Sequence, residues 1–248
     1  MRESWQRFEA VLRGEVPDRV PLTQTWGPHG PQWRRLLGRE PAGDSDLIAY
    51  KLALGLPTGL RVARAWNPFG SASRQASDGT DHYVQGHLQP GAPLAPYADT
   101  DDLASFAERA RAAERTSHEA GLAAEGVVMS CVHACSTAMG LENLAIAAYE
   151  QPDWLDESME LVETWNRRTV AALIDAGVDL VLFDGDCAYK QGLMLSPAMM
   201  RRFWFERTRR TVDLLHDAGV WAYYHTDGKV DEVLPMLIEL GFAAFHGC

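Results

Sequence analysis

Residues 175–186 read Asp-Ala-Gly-Val-Asp-Leu-Val-Leu-Phe-Asp-Gly-Asp, and this stretch indicates the fold class. Gly177 is typical of the position just after a helix, where a positive φ is common. The apolar run 178–183 that follows predicts a strand covered on both faces, as in a parallel sheet. Two carboxylates come directly after it. The stretch therefore predicts a helix, a buried strand and a polar loop in succession.

The same order recurs further along the chain. Gly219 and Gly241 each follow a helix-like segment and precede a short apolar run, and Ser196-Pro197 is typical of a helix start. Helices and strands in alternation predict a parallel sheet. No Gly-x-Gly-x-x-Gly follows a strand, which argues against the usual nucleotide-binding form of an open sheet. The predicted strands are 20–26, 60–66, 126–132, 178–183, 220–224 and 242–246.

Six predicted strands favour an incomplete closed barrel. The fold class expected is α/β, a parallel (β/α)8 TIM-type barrel with about six βα units present. We expect residues 1–248 to form a single domain that ends before the barrel is complete, truncated at its C-terminus. The segment 67–99 is rich in Gly, Pro, Ser and Asp and predicts an excursion with a hairpin at about 80–89.

Composition excludes some classes of function. The chain has 248 residues, 46% of them hydrophobic, with 23 basic and 34 acidic side chains for a net charge of −11. This charge disfavours nucleic acid and anionic membranes as partners and leaves a small-molecule substrate. The four cysteines, with no apolar leader or membrane-length segment, predict a cytoplasmic protein. A homo-oligomer stays open as an alternative.

Polar side chains recur where predicted strands end, which is where parallel barrels build their active sites. His225 closes one apolar run, and Asp227 follows two residues later. The histidine is a candidate general base or metal ligand, and the aspartate a candidate orienting group or second ligand. In the alternative interpretation Asp227 caps the next helix and His225 only packs.

The loop after Phe183 carries a second group of candidates. Asp184 and Asp186 are close enough in sequence to act as acid and base, or to bind a cation or an N–H donor, although loop solvation is the alternative. Tyr189 and Lys190 follow in the same loop and are candidate ligands for a substrate carboxylate.

Two more candidates for substrate binding lie near earlier strand ends. Trp26 ends the first predicted strand. His133 lies in Cys131-x-His133-x-Cys135, which we expect to alternate on one side of a strand. This spacing is awkward for a single tetrahedral ion, so substrate contact by His133 or core packing is favoured over a metal site.

Three blocks of the sequence resemble one known family. They are Arg7–Pro21 (Arg-Phe-Glu-Ala-Val-Leu-Arg-Gly-Glu-Val-Pro-Asp-Arg-Val-Pro), Phe183–Gly192 (Phe-Asp-Gly-Asp-Cys-Ala-Tyr-Lys-Gln-Gly) and Tyr224–Lys229 (Tyr-His-Thr-Asp-Gly-Lys). In this order they are similar to the uroporphyrinogen decarboxylase superfamily. The resemblance implies a barrel enzyme whose site lies at the C-terminal ends of the strands.

The resemblance implies two competing activities. True decarboxylases carry a Met-Arg-Gln-Ala-Gly-Arg motif whose arginines bind substrate carboxylates, whereas this chain has Thr-Gln-Thr-Trp-Gly-Pro-His-Gly at 23–30. They also carry a Phe-Ser-Asp segment that is not visible near 60–70. Those enzymes need no cofactor. Decarboxylation of a tetrapyrrole carboxylate is therefore the alternative prediction.

The corrinoid-dependent methyltransferase branch is the favoured prediction. Its members bind zinc through His-x-Cys and a distant cysteine, and the zinc activates a thiol for methyl transfer. Here the match implies zinc binding through His225, with Asp227 at the second ligand position, and a partner protein that carries a corrinoid as methyl donor. A harder oxygen ligand changes the metal preference of such a site. An inactive, truncated chain is the third alternative.

Overall fold

A computed structural model of the protein describes residues 3–24, 30–39, 42–64, 68–75, 81–94 and 103–247. The strands are β1 Thr58–Ala63, β2 Ser71–Gln75, β3 Asp81–Gly86, β4 Ala123–Met129, β5 Leu180–Asp184, β6 Ala188–Tyr189, β7 Gly192–Leu193, β8 Trp221–His225 and β9 Ala244–His246. The α-helices are α1 Glu3–Leu12, α2 Gly30–Leu37, α3 Asp44–Ala53, α4 Leu103–Glu119, α5 Cys131–Met139, α6 Leu141–Glu150, α7 Pro152–Ala176, α8 Pro197–Met200, α9 Glu206–Asp217 and α10 Leu234–Leu240. A π-helix, Arg201–Phe205, joins α8 to α9.

Five parallel strands in the order β1-β4-β5-β8-β9 form the main sheet. Helices connect them, which confirms the predicted α/β architecture of an incomplete parallel barrel. Among the described residues β1 and β9 each pair with one neighbour only, so both are edges. The antiparallel pair β2–β3 lies in the predicted excursion, but its first strand begins earlier than the hairpin predicted at about 80–89. No helix in the described part of the chain is long and apolar enough to cross a membrane.

The first predicted strand was wrong over the residues that can be examined. Residues 20–24 form no strand, and residues 25 and 26 lie outside the described residues. Pro21 lacks the N–H that a ladder needs, and Val20 and Leu22 are exposed. The sheet of the described chain therefore has five of the six predicted strands.

The inner face of the sheet is arranged in layers. The register sets Glu125, Leu180 and Trp221 side by side as the lowest layer. Above it the middle layer consists of Val127, Leu182, Tyr223 and Ala244. The top layer consists of Met129, Asp184, His225 and His246. Stacked layers of this kind fill the interior of parallel barrels, and here only the top one, at the C-terminal ends, combines acidic and imidazole side chains.

The outer face of the sheet packs against the helices and holds the main apolar core. Phe183 and Tyr224 are fully buried there, and both contact the ring of Phe242 edge-on. Gly177 and Gly241 end α7 and α10 in the left-handed conformation, as their positions predicted. The helices thus return the chain to the lower edge of the sheet, so every parallel strand points its polar end the same way.

The segment around Cys131 differs from its prediction as part of a strand. The strand ends at Met129, and α5 begins at Cys131. Cys131, Ala134, Cys135 and Ala138 are buried along one face of this helix, which is a helical spacing and not the alternation of a strand. The residue types are small enough to fit either pattern. His133 consequently lies in the first turn of a helix at the top of the sheet.

Glu163 on α7 is a fully buried carboxyl in the helical layer, and it makes the stability of the fold depend on pH. It accepts a hydrogen bond from Thr211 Oγ1 at 2.7 Å. Burial raises the pKa of this carboxyl, and its hydrogen bonds oppose the rise only in part. A raised pKa in the folded state means that stability is highest below the ordinary pKa and is lost as pH rises through the folded value.

Replacing Glu163 with glutamine keeps a hydrogen-bond acceptor and removes the loss of stability that ionisation of the buried carboxyl causes as pH rises. We therefore expect the melting temperature of Glu163→Gln, relative to the unsubstituted protein, to rise between about pH 5 and about pH 8. Thermal unfolding followed by circular dichroism measures it. The exposed Glu142→Gln on α6 serves as the matched control. Parallel pH curves for Glu163→Gln and the unsubstituted protein would contradict the expectation.

Candidate active site

The site is built on the top layer of the inner face. Asp184 ends β5, His225 ends β8 and His246 ends β9, and the three are register partners across adjacent strands. Adjacent strands lie about 4.8 Å apart, so these side chains are immediate neighbours. Asp184 and His225 are buried, at 4% and 5% exposure. The strand ends therefore hold three ionisable groups in one row at the mouth of the barrel wall.

The hydrogen bonds of His225 determine which ring nitrogen faces the mouth. Its Nδ1 lies 3.0 Å from the His246 carbonyl oxygen and 2.9 Å from His246 Nδ1. A carbonyl oxygen accepts but cannot donate, so we assign the proton of the neutral ring to Nδ1. Nε2, which then carries the lone pair, lies 3.8 Å from Asp186 Oδ1. A backbone carbonyl on the other ring nitrogen is the usual support for a metal-binding histidine.

Asp186 and Asp227 complete a three-residue cluster with His225. One possible ligand atom from each lies within 4.8 Å of the other two. The Asp227 backbone N–H also donates to Asp186 Oδ1 at 3.2 Å, which ties the two loops together. Zinc–ligand bonds of about 2.0–2.2 Å place tetrahedral ligand atoms about 3.4 Å apart. Shifts of the ligand atoms by about an ångström, made by side-chain rotation, would bring the three atoms to that spacing. The donor set therefore fits a divalent ion.

Asp227 does not act as the cap of the following helix. That helix, α10, begins at Leu234, seven positions further on. Asp227 is exposed at the mouth. The capping alternative for Asp227 was therefore wrong. The structure instead places the Asp227 carboxylate close to His225.

Asp184 sits beside this cluster and has different surroundings. Its side chain is 5% exposed, and the nearest ionisable group is the His133 ring, with Nδ1 at 3.9 Å. Burial raises the pKa of Asp184; His133 and His225 oppose the rise, and Asp186 adds to it. No group in the described part of the chain donates a hydrogen bond to this carboxylate. Asp184 is thus a buried carboxyl that faces the mouth without a donor.

His133 is oriented by the loop that follows β5. The backbone N–H of Asp186 donates to His133 Nδ1 at 3.1 Å. Because Nδ1 accepts this bond, the proton of the neutral ring is on Nε2. His133, in the N-terminal turn of α5, therefore turns its unprotonated Nδ1 towards the loop that carries Asp186. Contact between His133 and the substrate stays a prediction.

The two loops that carry the aspartates are fixed by buried hydrogen bonds. The Gly185 N–H donates to the His225 carbonyl at 2.9 Å, and Tyr224 Oη donates to the Gly185 carbonyl at 2.8 Å. The Cys187 N–H donates to Thr226 Oγ1 at 3.1 Å. Gly228 has a φ of +93°, and a Cβ there would lie 2.8 Å from the Tyr189 backbone. The spacing of the aspartates is therefore set by the backbone.

The remaining candidates are not gathered into this row. Tyr189 and Lys190 lie on the short hairpin β6–β7, and both side chains are exposed. The Tyr189 carbonyl accepts from the Lys229 N–H at 3.0 Å, so this contact is made by backbone. Trp26 lies outside the described residues. Their roles in substrate binding stay predictions.

His246 is the residue of this site that sequence reasoning did not select. Burial lowers its pKa, and the neighbouring His225 lowers it further. It also borders a cavity of about 80 Å³ on the inner face, which Glu125 and Tyr223 line from below. A histidine that closes a short apolar run after a helix-ending glycine was the available signal.

Comparison with known proteins agrees with this layout. The family model described as Uroporphyrinogen decarboxylase (URO-D) matches residues 77–246, which include the ends of β5, β8 and β9 that build the site. The chain belongs to this family. No curated protein matches the chain.

A solved structure similar to this URO-D family chain is a methyltransferase from Methanosarcina mazei. The two are 15% identical and superpose with a TM-score of 0.72. The match covers 98% of this chain and 75% of the other chain. At this identity the likeness shows the shared fold.

Proposed function

We propose that this URO-D family protein is a metal-dependent methyltransferase of the corrinoid and zinc type. The observation that carries the proposal is the cluster of Asp186, His225 and Asp227, with His225 Nδ1 held by a backbone carbonyl and Nε2 directed at Asp186. Three protein ligands with an open fourth position are typical of catalytic zinc sites. The donor set of one imidazole and two carboxylates also suits harder divalent ions such as Mn²⁺.

The residues of the cleft have separate duties in this proposal. Asp186, His225 and Asp227 would hold the ion, which favours the thiolate form of a bound thiol, the nucleophilic form of sulfur. His133 Nε2–H and Asp184 would contact the rest of the substrate. A corrinoid on a partner protein would supply the methyl group, and the cleft residues would hold the thiol sulfur where it can accept that group while the thiol proton leaves to solvent.

The activity test uses the full chain loaded with Zn²⁺, methylcobalamin as donor and 2-mercaptoethanol as acceptor. We expect the S-methylated thiol in mass spectrometry and loss of the methylcobalamin spectrum. Asp227→Ala should lower the rate by about a hundredfold or more, because loss of a supporting metal contact alone costs about ten- to a hundredfold. Asp213→Ala, an exposed aspartate on α9, serves as the control. Equal rates for Asp227→Ala and the control would count against the proposal.

Decarboxylation is the second candidate, and buried Asp184 with its raised pKa is the observation that favours it. We nevertheless expect negligible decarboxylation of uroporphyrinogen. That substrate is highly anionic, whereas three carboxylates line the described part of this cleft and the arginine motif of the decarboxylases is absent from 23–30. Well-held reactants gain about 7–11 kcal/mol from positioning, so the loss of cationic contacts is severe.

Anaerobic incubation with uroporphyrinogen and chromatography of the oxidised products tests this expectation. The expected chromatogram contains unchanged uroporphyrin. Formation of coproporphyrin at a rate that falls in Asp184→Asn would make the decarboxylase assignment correct and the methyltransferase proposal wrong.

A further inference from the structure

Among the described residues of the cleft, Asp184 is the one carboxyl that the proposed metal cluster does not use. Its side chain is 5% exposed and, in the described structure, receives no hydrogen bond. It belongs to the top layer of the inner face, beside His225 in the register. A buried carboxylate without a donor is costly, so such a group in an open mouth indicates a ligand that supplies the donor.

The neighbours of Asp184 cannot supply that donor. His133 Nδ1 is the nearest, at 3.9 Å, but it already accepts the Asp186 backbone N–H at 3.1 Å. A nitrogen that accepts a hydrogen bond has no proton to give in the neutral ring. His225 directs its Nδ1–H to the His246 carbonyl, away from Asp184. Both histidines that flank the carboxylate are therefore committed elsewhere.

The charge of the cleft leads to the same requirement. A divalent ion at Asp186, His225 and Asp227 balances the two carboxylates that bind it. Asp184 then remains beside the ion with no hydrogen-bond donor of its own among the described residues, since Arg61 and the two histidines act on it only through space. A cationic group on the substrate would balance it, and a substrate carboxylate would be repelled.

We propose that Asp184 binds an ammonium group of the methyl acceptor, so that the acceptor is a small aminothiol. The thiol part of this inference rests on the proposed function. The ammonium part rests on Asp184 alone. Asp184 and His225 stand on adjacent strands about 4.8 Å apart. A sulfur on the ion and a nitrogen at Asp184 would both be bound at neighbouring strand ends, so a short chain of two or three carbon atoms would join them.

A series of three thiols that differ in charge tests the inference. Isothermal titration calorimetry on the full chain, loaded with Zn²⁺, compares cysteamine, 2-mercaptoethanol and 3-mercaptopropionate. We expect cysteamine to bind at least about tenfold more tightly than 3-mercaptopropionate, since a hydrogen bond between charged groups supports a difference of that size. In Asp184→Asn this preference should disappear. In Asp213→Asn, an exposed control on α9, it should remain.

Repeating the titrations after metal removal with EDTA separates this inference from the proposed function. If all three thiols bind equally and only with metal, the ammonium site is wrong and the metal site stands. If cysteamine is preferred through Asp184 regardless of metal, the ammonium site stands and the thiol-activating metal is wrong. A preference that survives in Asp184→Asn, or no binding of cysteamine to the unsubstituted protein, overturns the inference outright.

Discussion

A His225→Ala variant is expected to bind Zn²⁺ more than about a hundredfold more weakly than the unsubstituted protein. The substitution removes the only nitrogen ligand of the three-residue cluster and leaves two carboxylates. Loss of a group that merely supports a ligand costs about ten- to a hundredfold in affinity, and loss of the ligand itself costs more. Competition with a chromophoric chelator measures the dissociation constant.

His216→Ala is the matched control for this measurement. His216 lies near the end of α9, before β8 begins, and its Nε2 contacts the Gly241 carbonyl at 3.0 Å. This is the opposite end of the sheet from the mouth, so the affinity should be unchanged. Equal Zn²⁺ affinity for His225→Ala and His216→Ala would reject His225 as a ligand.

Arg61→Ala is expected to destabilise the fold by about 3 kcal/mol or more, the lower part of the range for breaking a buried ion pair. Arg61 Nη2 lies 2.8 Å from Glu125 Oε1, and Glu125 is 1% exposed in the lowest layer of the inner face. The substitution leaves that carboxylate without its main cation, although buried Lys51 still attracts it. Chemical denaturation gives the free energy of unfolding.

The comparison for this substitution is Arg201→Ala, which breaks the pair between Arg201 and Glu239. Its nitrogen–oxygen distance is also 2.8 Å, but both side chains are about half exposed. Exposed pairs contribute little to stability because water screens them. If Arg61→Ala and Arg201→Ala lower the free energy of unfolding by the same amount, burial does not strengthen the contribution of the Arg61–Glu125 pair to stability.

Most of the fold could be predicted from local signals in the second half of the chain. Gly177 and Gly241 end helices, and the apolar runs after them are strands of the main sheet. These signals are reliable because a left-handed helix end favours glycine, and because a strand buried on both faces must be apolar throughout. The first half has fewer of them, and the strand predicted at 20–26 is absent from residues 20–24.

The composition of the site could be predicted, but its internal arrangement could not. Placing Asp184, Asp186, His225 and Asp227 together needed only the rule that parallel strands end at one edge. The different surroundings of Asp184 and Asp186 depend on the register and on hydrogen bonds between loops. The helical position of His133 was missed because Cys131–Met139 consists largely of small residues that suit a strand end as well as a helix.

The most direct test of the proposed metal centre is anomalous X-ray diffraction from crystals of the full chain grown with Zn²⁺, recorded at the zinc absorption edge. We expect one strong peak about 2.0–2.2 Å from His225 Nε2 and from a carboxylate oxygen of each of Asp186 and Asp227. A peak at any other place in the chain, or no peak at these three residues, would contradict the account.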